Sequence, residues 1–99
     1  MIGPVRHTTG GKERREIRAA LHGERPAVQV GKNGVDEALV ASAEQALAAR
    51  EAIKVRVGGG CPLEPAEVAE ALAIELKAEV VAVTGGTILL YRPQPEDVK

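Results

Sequence analysis

Residues 31–34, Gly-Lys-Asn-Gly, follow the short apolar run Ala27–Val30 and precede a stretch in which Val35, Leu39, Ala43, Ala46 and Leu47 recur at helical spacing. A strand that ends in a glycine loop and passes into a helix gathers unpaired backbone amides near the helix N-terminus, and such amides suit an anion. Gly31 and Gly34 have access to positive φ, Lys32 supplies a charge and Asn33 a hydrogen-bonding amide. The chemistry expected of this loop is contact with a phosphate or a sugar-phosphate. The same four residues also suffice for a plain turn, which on spacing alone is the commoner outcome because Gly-x-x-Gly recurs by chance. Asp36 and Glu37 compete for the same dipole end.

Other chemistries find no support. A Walker A loop requires Gly-Lys followed by Ser or Thr, whereas Gly11-Lys12 precedes Glu13 and Gly31-Lys32 precedes Asn33. Gly58-Gly59-Gly60 runs into Cys61-Pro62-Leu63 rather than into a helix, so there is no dinucleotide fingerprint. The only serine, Ser42, falls within a helical stretch with no nucleophile elbow around it. Cys61 is the single cysteine, has no base placed beside it by sequence and reads as a packed or merely exposed thiol. With His7 and His22 it does not make a zinc spacing. No catalytic residues, metal or cofactor are expected, and the protein is not expected to be an enzyme.

The elements that must position the loop are legible as alternating helical and extended periods. Lys12–His22 reads as a helix with Ile17, Ala20 and Leu21 on one face, Arg14, Arg15 and Arg18 off that face, and Gly23 at its C-terminal end. Ala27–Val30 is a short strand, and the second helix covers about residues 35–50. In Ala52–Val57, Ile53, Val55 and Val57 alternate with Lys54 and Arg56, which predicts a half-buried strand with a basic outer face. Pro65–Lys77 follows as a helix with Val68, Ala69, Leu72 and Leu76 inward, and Val80–Thr84, Gly85-Gly86 and Thr87–Arg92 form a hairpin. The order α-β-α-β-α-β-β predicts an α/β domain with helices packed on a mixed sheet. Residues 1–11 are expected to be a flexible arm, 12–93 the domain and 94–99 a disordered tail.

Ninety-nine residues bound the chain to one core. With no Trp or Phe and one Tyr, that core must be built from Val, Leu, Ile and Ala. The N-terminus lacks the apolar segment of a secretory leader, and no window approaches the roughly 18 apolar residues of a membrane helix, so a cytoplasmic location without a membrane partner is expected. The net charge of −1 conceals an asymmetry: residues 1–34 carry seven Lys or Arg against three Glu, and residues 35–99 carry six against eleven Asp or Glu. If the first helix and the second strand flank Gly31–Gly34, then Arg14, Arg15, Arg18, Lys54 and Arg56 join Lys32 in one cationic surface, the footprint of a nucleic-acid backbone. With Tyr91 as the sole aromatic, base stacking is a minor resource, so recognition would rest on backbone and shape, as in structured RNA.

The run PAVQVGKNGVDEALVASAEQAL, then REAIKV, then ELKAEVVAVTGGTILLYRP, in that order over roughly residues 12–93, resembles the CRM domain (chloroplast RNA splicing and ribosome maturation) in its bacterial single-domain YhbY-type form. The resemblance implies a four-stranded mixed sheet with three helices, similar to the C-terminal domain of translation initiation factor three. It also implies binding to ribosomal RNA or precursors of the large ribosomal subunit in ribosome assembly. No preference for DNA is expected, and the protein is expected to be a monomer. By motif, Gly31, Lys32, Asn33 and Gly34 match the family's RNA-contacting loop, and Arg14, Arg15 and Arg18 lie in its basic first helix. Lys54 matches the lysine of its second strand, and Arg92 the arginine of its LYRP ending. Two other readings remain open: a protein-interaction module that sits on a ribosomal protein through acidic helices with RNA incidental, and a small enzyme or ligand binder that uses Gly31–Gly34 for a phosphorylated metabolite.

Overall fold

The computed structural model describes residues 11–93. Its elements are α1 (Gly11–Leu21), β1 (Val28–Val30), α2 (Glu37–Arg50), β2 (Ala52–Val57), α3 (Pro65–Leu76), β3 (Glu79–Thr84) and β4 (Thr87–Tyr91). The expected arm and tail lie outside the described residues, apart from Gly11, which opens α1.

The four strands form one mixed sheet in the order β1-β2-β4-β3. β1 and β2 are parallel and joined through α2, as a parallel pair requires a crossover, while β4 runs antiparallel to both β2 and β3. Alternation sends Val28, Val30, Ile53, Val55, Val57, Ile88 and Leu90 to one face, where Leu39, Ala43 and Leu47 of α2 and Val68, Ala69, Leu72 and Leu76 of α3 cover them. Leu47, Ile53, Leu72 and Leu90 are fully buried, and each stabilises the fold by about 1.5–3 kcal/mol relative to an exposed side chain.

The opposite face is only partly covered. α1 packs on β2 and β3, and its Leu21 closes a small second cluster with Val81 and Leu89, against which Ile17 and Tyr91 also rest. Because both faces are covered at this point, Ile88, Leu89 and Leu90 are buried in succession and β4 loses its alternation. Ala20, expected inward, is exposed. The α1 helix ends at Leu21, one residue short of the expected His22, and Gly23 just beyond it takes the left-handed φ of 85° expected of a C-terminal glycine.

The second helix begins at Glu37 rather than at Val35. Asp36 is extended and accepts a hydrogen bond from the Leu39 N–H at 2.9 Å, which makes it the N-cap. Val35 and Val40 then occupy the positions of a hydrophobic staple, and both rest on the main core. The apolar period at Val35 therefore reports packing just outside the helix.

Candidate nucleic-acid interface

Three glycine-rich turns meet at one end of the sheet, and the strand directions account for it. β1 and β2 run parallel, so the loops that follow them, 31–34 and 58–60, leave from the same end. β4 runs against β2, so the Gly85-Gly86 turn that opens it lies there as well. Backbone bonds tie the three together: Gly58 N–H donates to Val30 O at 2.9 Å and Val57 N–H to Gly86 O at 2.7 Å.

Gly31–Gly34 is closed on itself by a bond from Gly34 N–H to Gly31 O of 3.0 Å. The two glycines differ. Gly34 is buried with φ 65°, and an added Cβ would lie 3.7 Å from Leu63 Cδ1 and 3.8 Å from Pro62 Cγ. Gly31 is exposed, has no positive φ and would meet nothing within 4 Å. The loop is thus anchored at Gly34 on the 58–63 segment and presents Lys32 and Asn33 to solvent. Lys32 makes no ion pair among the described residues. Beside it runs a groove of about 390 Å³ whose lining includes Gln29, Lys32, Asn33, Asp36 and Ser42.

The first-turn amides of α2 are less available than the sequence implies. The helix starts at Glu37, three residues beyond Gly34, and the Asp36 carboxylate already holds the Leu39 N–H. What an anion would meet first is the turn itself and the Lys32 ammonium.

Of the flanking cations, the structure gathers several on the α1 side of the sheet. Gln29 pairs with Arg56, Arg56 with Thr87 and Thr87 with Thr84, so one polar row crosses all four strands and ends on β1 just before Gly31. Arg14 and Arg18 of α1 and His22, the residue after it, are spaced i, i+4, i+8. Arg18 and His22 line a cleft that they share with Lys54, Thr84 and Thr87. Lys54 is half-buried, and its Nζ donates to Glu24 O at 2.9 Å, which ties β2 to the α1–β1 connection. Arg15 is exposed on α1 but lines none of these walls.

Arg92 is not brought to this surface. It follows the C-terminal end of β4, and its N–H bonds Glu51 O at 2.7 Å at the opposite end of the sheet. Its guanidinium holds Glu44 through both nitrogens, Nη1–Oε1 at 2.8 Å and Nη2–Oε2 at 2.9 Å, and donates from Nη1 to Leu76 O at 2.9 Å. The hydrogen bond with Arg92 holds the Glu44 carboxyl below the usual carboxylate range and raises Arg92 in turn. A forked clamp joining α2, the end of α3 and the segment after β4 is a structural role. Tyr91 packs in the α1 cluster. Cys61 rests on the main core, where its Sγ accepts from Leu63 N–H at 3.4 Å.

Local sequence pattern alone does not single out His22, Gln29, Thr84 or Thr87. The Arg14-Arg18-His22 spacing carried a signal for the first; the others share a surface only through strand register. No metal-ligating cluster is present among the described residues, and none of their helices is long and apolar enough to cross a membrane.

A model of the CRS1/YhbY (CRM) domain family matches residues 10–92. The chain belongs to this family. Relatives of similar length include "Probable RNA-binding protein YqeI" of Bacillus subtilis, 39% identical over 87 residues that span 88% of this chain and 91% of the relative. An "RNA-binding protein" of Haemophilus influenzae is 34% identical over 89 residues, 90% of each chain. Among solved structures, the hypothetical protein SAV1595 of Staphylococcus aureus superposes with a TM-score of 0.74 at 33% identity, covering 92% of this chain and 95% of that one. The CRM fold expected from the motifs, three helices on a four-stranded mixed sheet, is the fold observed.

Proposed function

We propose that this CRM-domain protein is a non-enzymatic RNA-binding protein that docks structured ribosomal RNA during assembly of the large ribosomal subunit. The observation that carries the reading is the Gly31–Gly34 turn, anchored through buried Gly34 while Lys32 and Asn33 stand exposed at the end of β1, whose Gln29 pairs with Arg56 of β2. Lys32, the turn amides and Asn33 hold the sugar-phosphate backbone, and Arg14, Arg15, Arg18, Lys54 and Arg56 neutralise neighbouring phosphates. Arg92, clamped on Glu44, takes no part. The relatives named as RNA-binding proteins support the RNA-binding part of this reading.

Binding governed by phosphate contacts falls steeply with salt, at a log-log slope of about −0.7 to −0.9 per contact. The test is binding of labelled large-subunit ribosomal RNA fragments to the native protein and to a Lys32→Asp, Asn33→Asp variant across a salt series, with circular dichroism as the fold check. Lost affinity and a flatter slope in a folded variant support the clamp; equal binding by both proteins refutes it.

A groove between α2 and α3 favours a second reading. Val35, Val40 and Leu76 line it together with Glu37, Glu44 and Glu75, and its charge suits a basic segment of a ribosomal protein. Absence of RNA binding by the native protein would give this reading precedence.

A further inference from the structure

The clefts of the described residues differ in charge. The one beside α1 and Arg50 includes Glu16 and Glu24, the one between α2 and α3 includes Asp36, Glu37, Glu44 and Glu75, and the Gly31–Gly34 groove includes Asp36. The cleft under the C-terminal part of α1, about 290 Å³, has no carboxylate in its lining: Arg18, His22, Lys54, Thr84 and Thr87 stand around an apolar floor of Leu21, Ala82 and Leu89.

We propose that this cleft is a second phosphate-binding site, which takes a backbone phosphate of the same RNA that Gly31–Gly34 contacts. The inference rests on the RNA-binding reading above and adds to it a separate anchoring point on the α1 face of the sheet.

The donors are suited to that ligand. Arg18 offers a planar fork of N–H groups that matches phosphate oxygens. The Lys54 ammonium is held in place by the Glu24 carbonyl, so one of its three N–H groups fixes its position and two remain for an anion. That positioning precedes binding, which lowers the ordering cost of the contact. The Thr84 and Thr87 hydroxyls supply neutral donors across the hairpin, where the two residues are register partners. Glu24, whose carbonyl holds Lys54, turns its carboxylate away to Arg50 at 2.7 Å, so the neighbouring negative charge is paired elsewhere. An apolar floor excludes water from one side and strengthens each polar contact.

The cleft also communicates with the loop. The row Thr84–Thr87–Arg56–Gln29 spans three strand spacings, about 14 Å, and ends beside Gly31. Arg56 stands in the middle of that row, exposed and without an ion pair among the described residues, as a stepping charge between the two sites. An RNA backbone that follows the row meets Lys32 at one end and the cleft at the other.

The test uses the full chain and a labelled stem-loop of large-subunit ribosomal RNA. Arg18→Gln with His22→Gln, both at exposed positions, is expected to stay folded, to weaken binding about ten-fold and to flatten the log-log salt slope by about 0.7–0.9, the loss of one phosphate contact. Thr84→Val with Thr87→Val changes no charge and is expected to weaken binding several-fold with the slope unchanged, which a general loss of positive charge would not produce. Native-like affinity and slope in the Arg18/His22 variant overturn the proposal. If that result accompanies lost binding by Lys32→Asp, the loop reading stands without the cleft. If the cleft variants weaken binding and Lys32→Asp does not, the cleft stands and the loop reading fails. No RNA binding by the native protein overturns both.

Discussion

Alanine at Gly34 would place a Cβ on a backbone held at φ 65°, whereas alanine at Gly31 would place one on ordinary backbone in open space. At Gly34 the neighbours at 3.7 and 3.8 Å leave room for the methyl group, so the cost comes from the left-handed conformation. For an L-residue that conformation costs roughly 1–2 kcal/mol. The narrower unfolded ensemble of alanine returns about 0.4–1 kcal/mol, leaving Gly34→Ala destabilised by about 1 kcal/mol. At Gly31 only the unfolded-state term operates, so Gly31→Ala is neutral or more stable by about 0.4–1 kcal/mol. For a domain of this size 1 kcal/mol corresponds to a Tm shift of about 4–8 °C. Thermal unfolding followed by circular dichroism, with urea titrations to confirm a common m-value, separates the two variants. Ribosomal RNA binding by Gly31→Ala then asks why a glycine stands where the fold does not require one: a close approach of RNA to the turn predicts lost affinity at undiminished stability. A Gly31→Ala protein that is the less stable of the two, or a Gly34→Ala protein with native Tm, would refute the reasoning.

Two further outcomes follow from the same geometry. Because the Arg92 hydrogen bond lowers the folded-state pKa of Glu44, this pair stabilises the fold above the ordinary carboxylate range, and that contribution disappears as pH falls through the lowered value. Urea unfolding from neutral to acidic pH should show this loss in the native protein and a smaller pH dependence in Glu44→Gln; identical profiles would contradict it. Asp36→Asn should keep the N-cap on Leu39, since Asn caps about as well as Asp, while removing a negative charge from the groove beside Lys32. Ribosomal RNA affinity should therefore rise at unchanged Tm, and an unchanged or weaker affinity would argue against phosphate contact at the turn.

Much of the architecture is written in local periods. Ile53-Val55-Val57 alternate because one side of β2 meets helices, and Val68-Ala69-Leu72-Leu76 recur because one side of α3 meets the sheet; period and burial are the same fact seen twice. Gly23 marked the end of α1 because a left-handed residue is needed there, and Gly85-Gly86 marked the hairpin for a similar reason. The Gly31–Gly34 turn was legible as a turn, and its motif context as that of the CRM family. Tertiary structure decided matters that depend on which strand ends meet. The parallel β1–β2 pair and antiparallel β4 place three glycine turns together, and register aligns Gln29, Arg56, Thr87 and Thr84 although they are distant in sequence. The chain's local pattern gives Arg92 and Arg56 equal standing as exposed cations. Only the fold sends one to a carboxylate at the far end of the sheet and leaves the other beside the loop, because pairing depends on proximity in space, which strand direction sets and local periodicity does not.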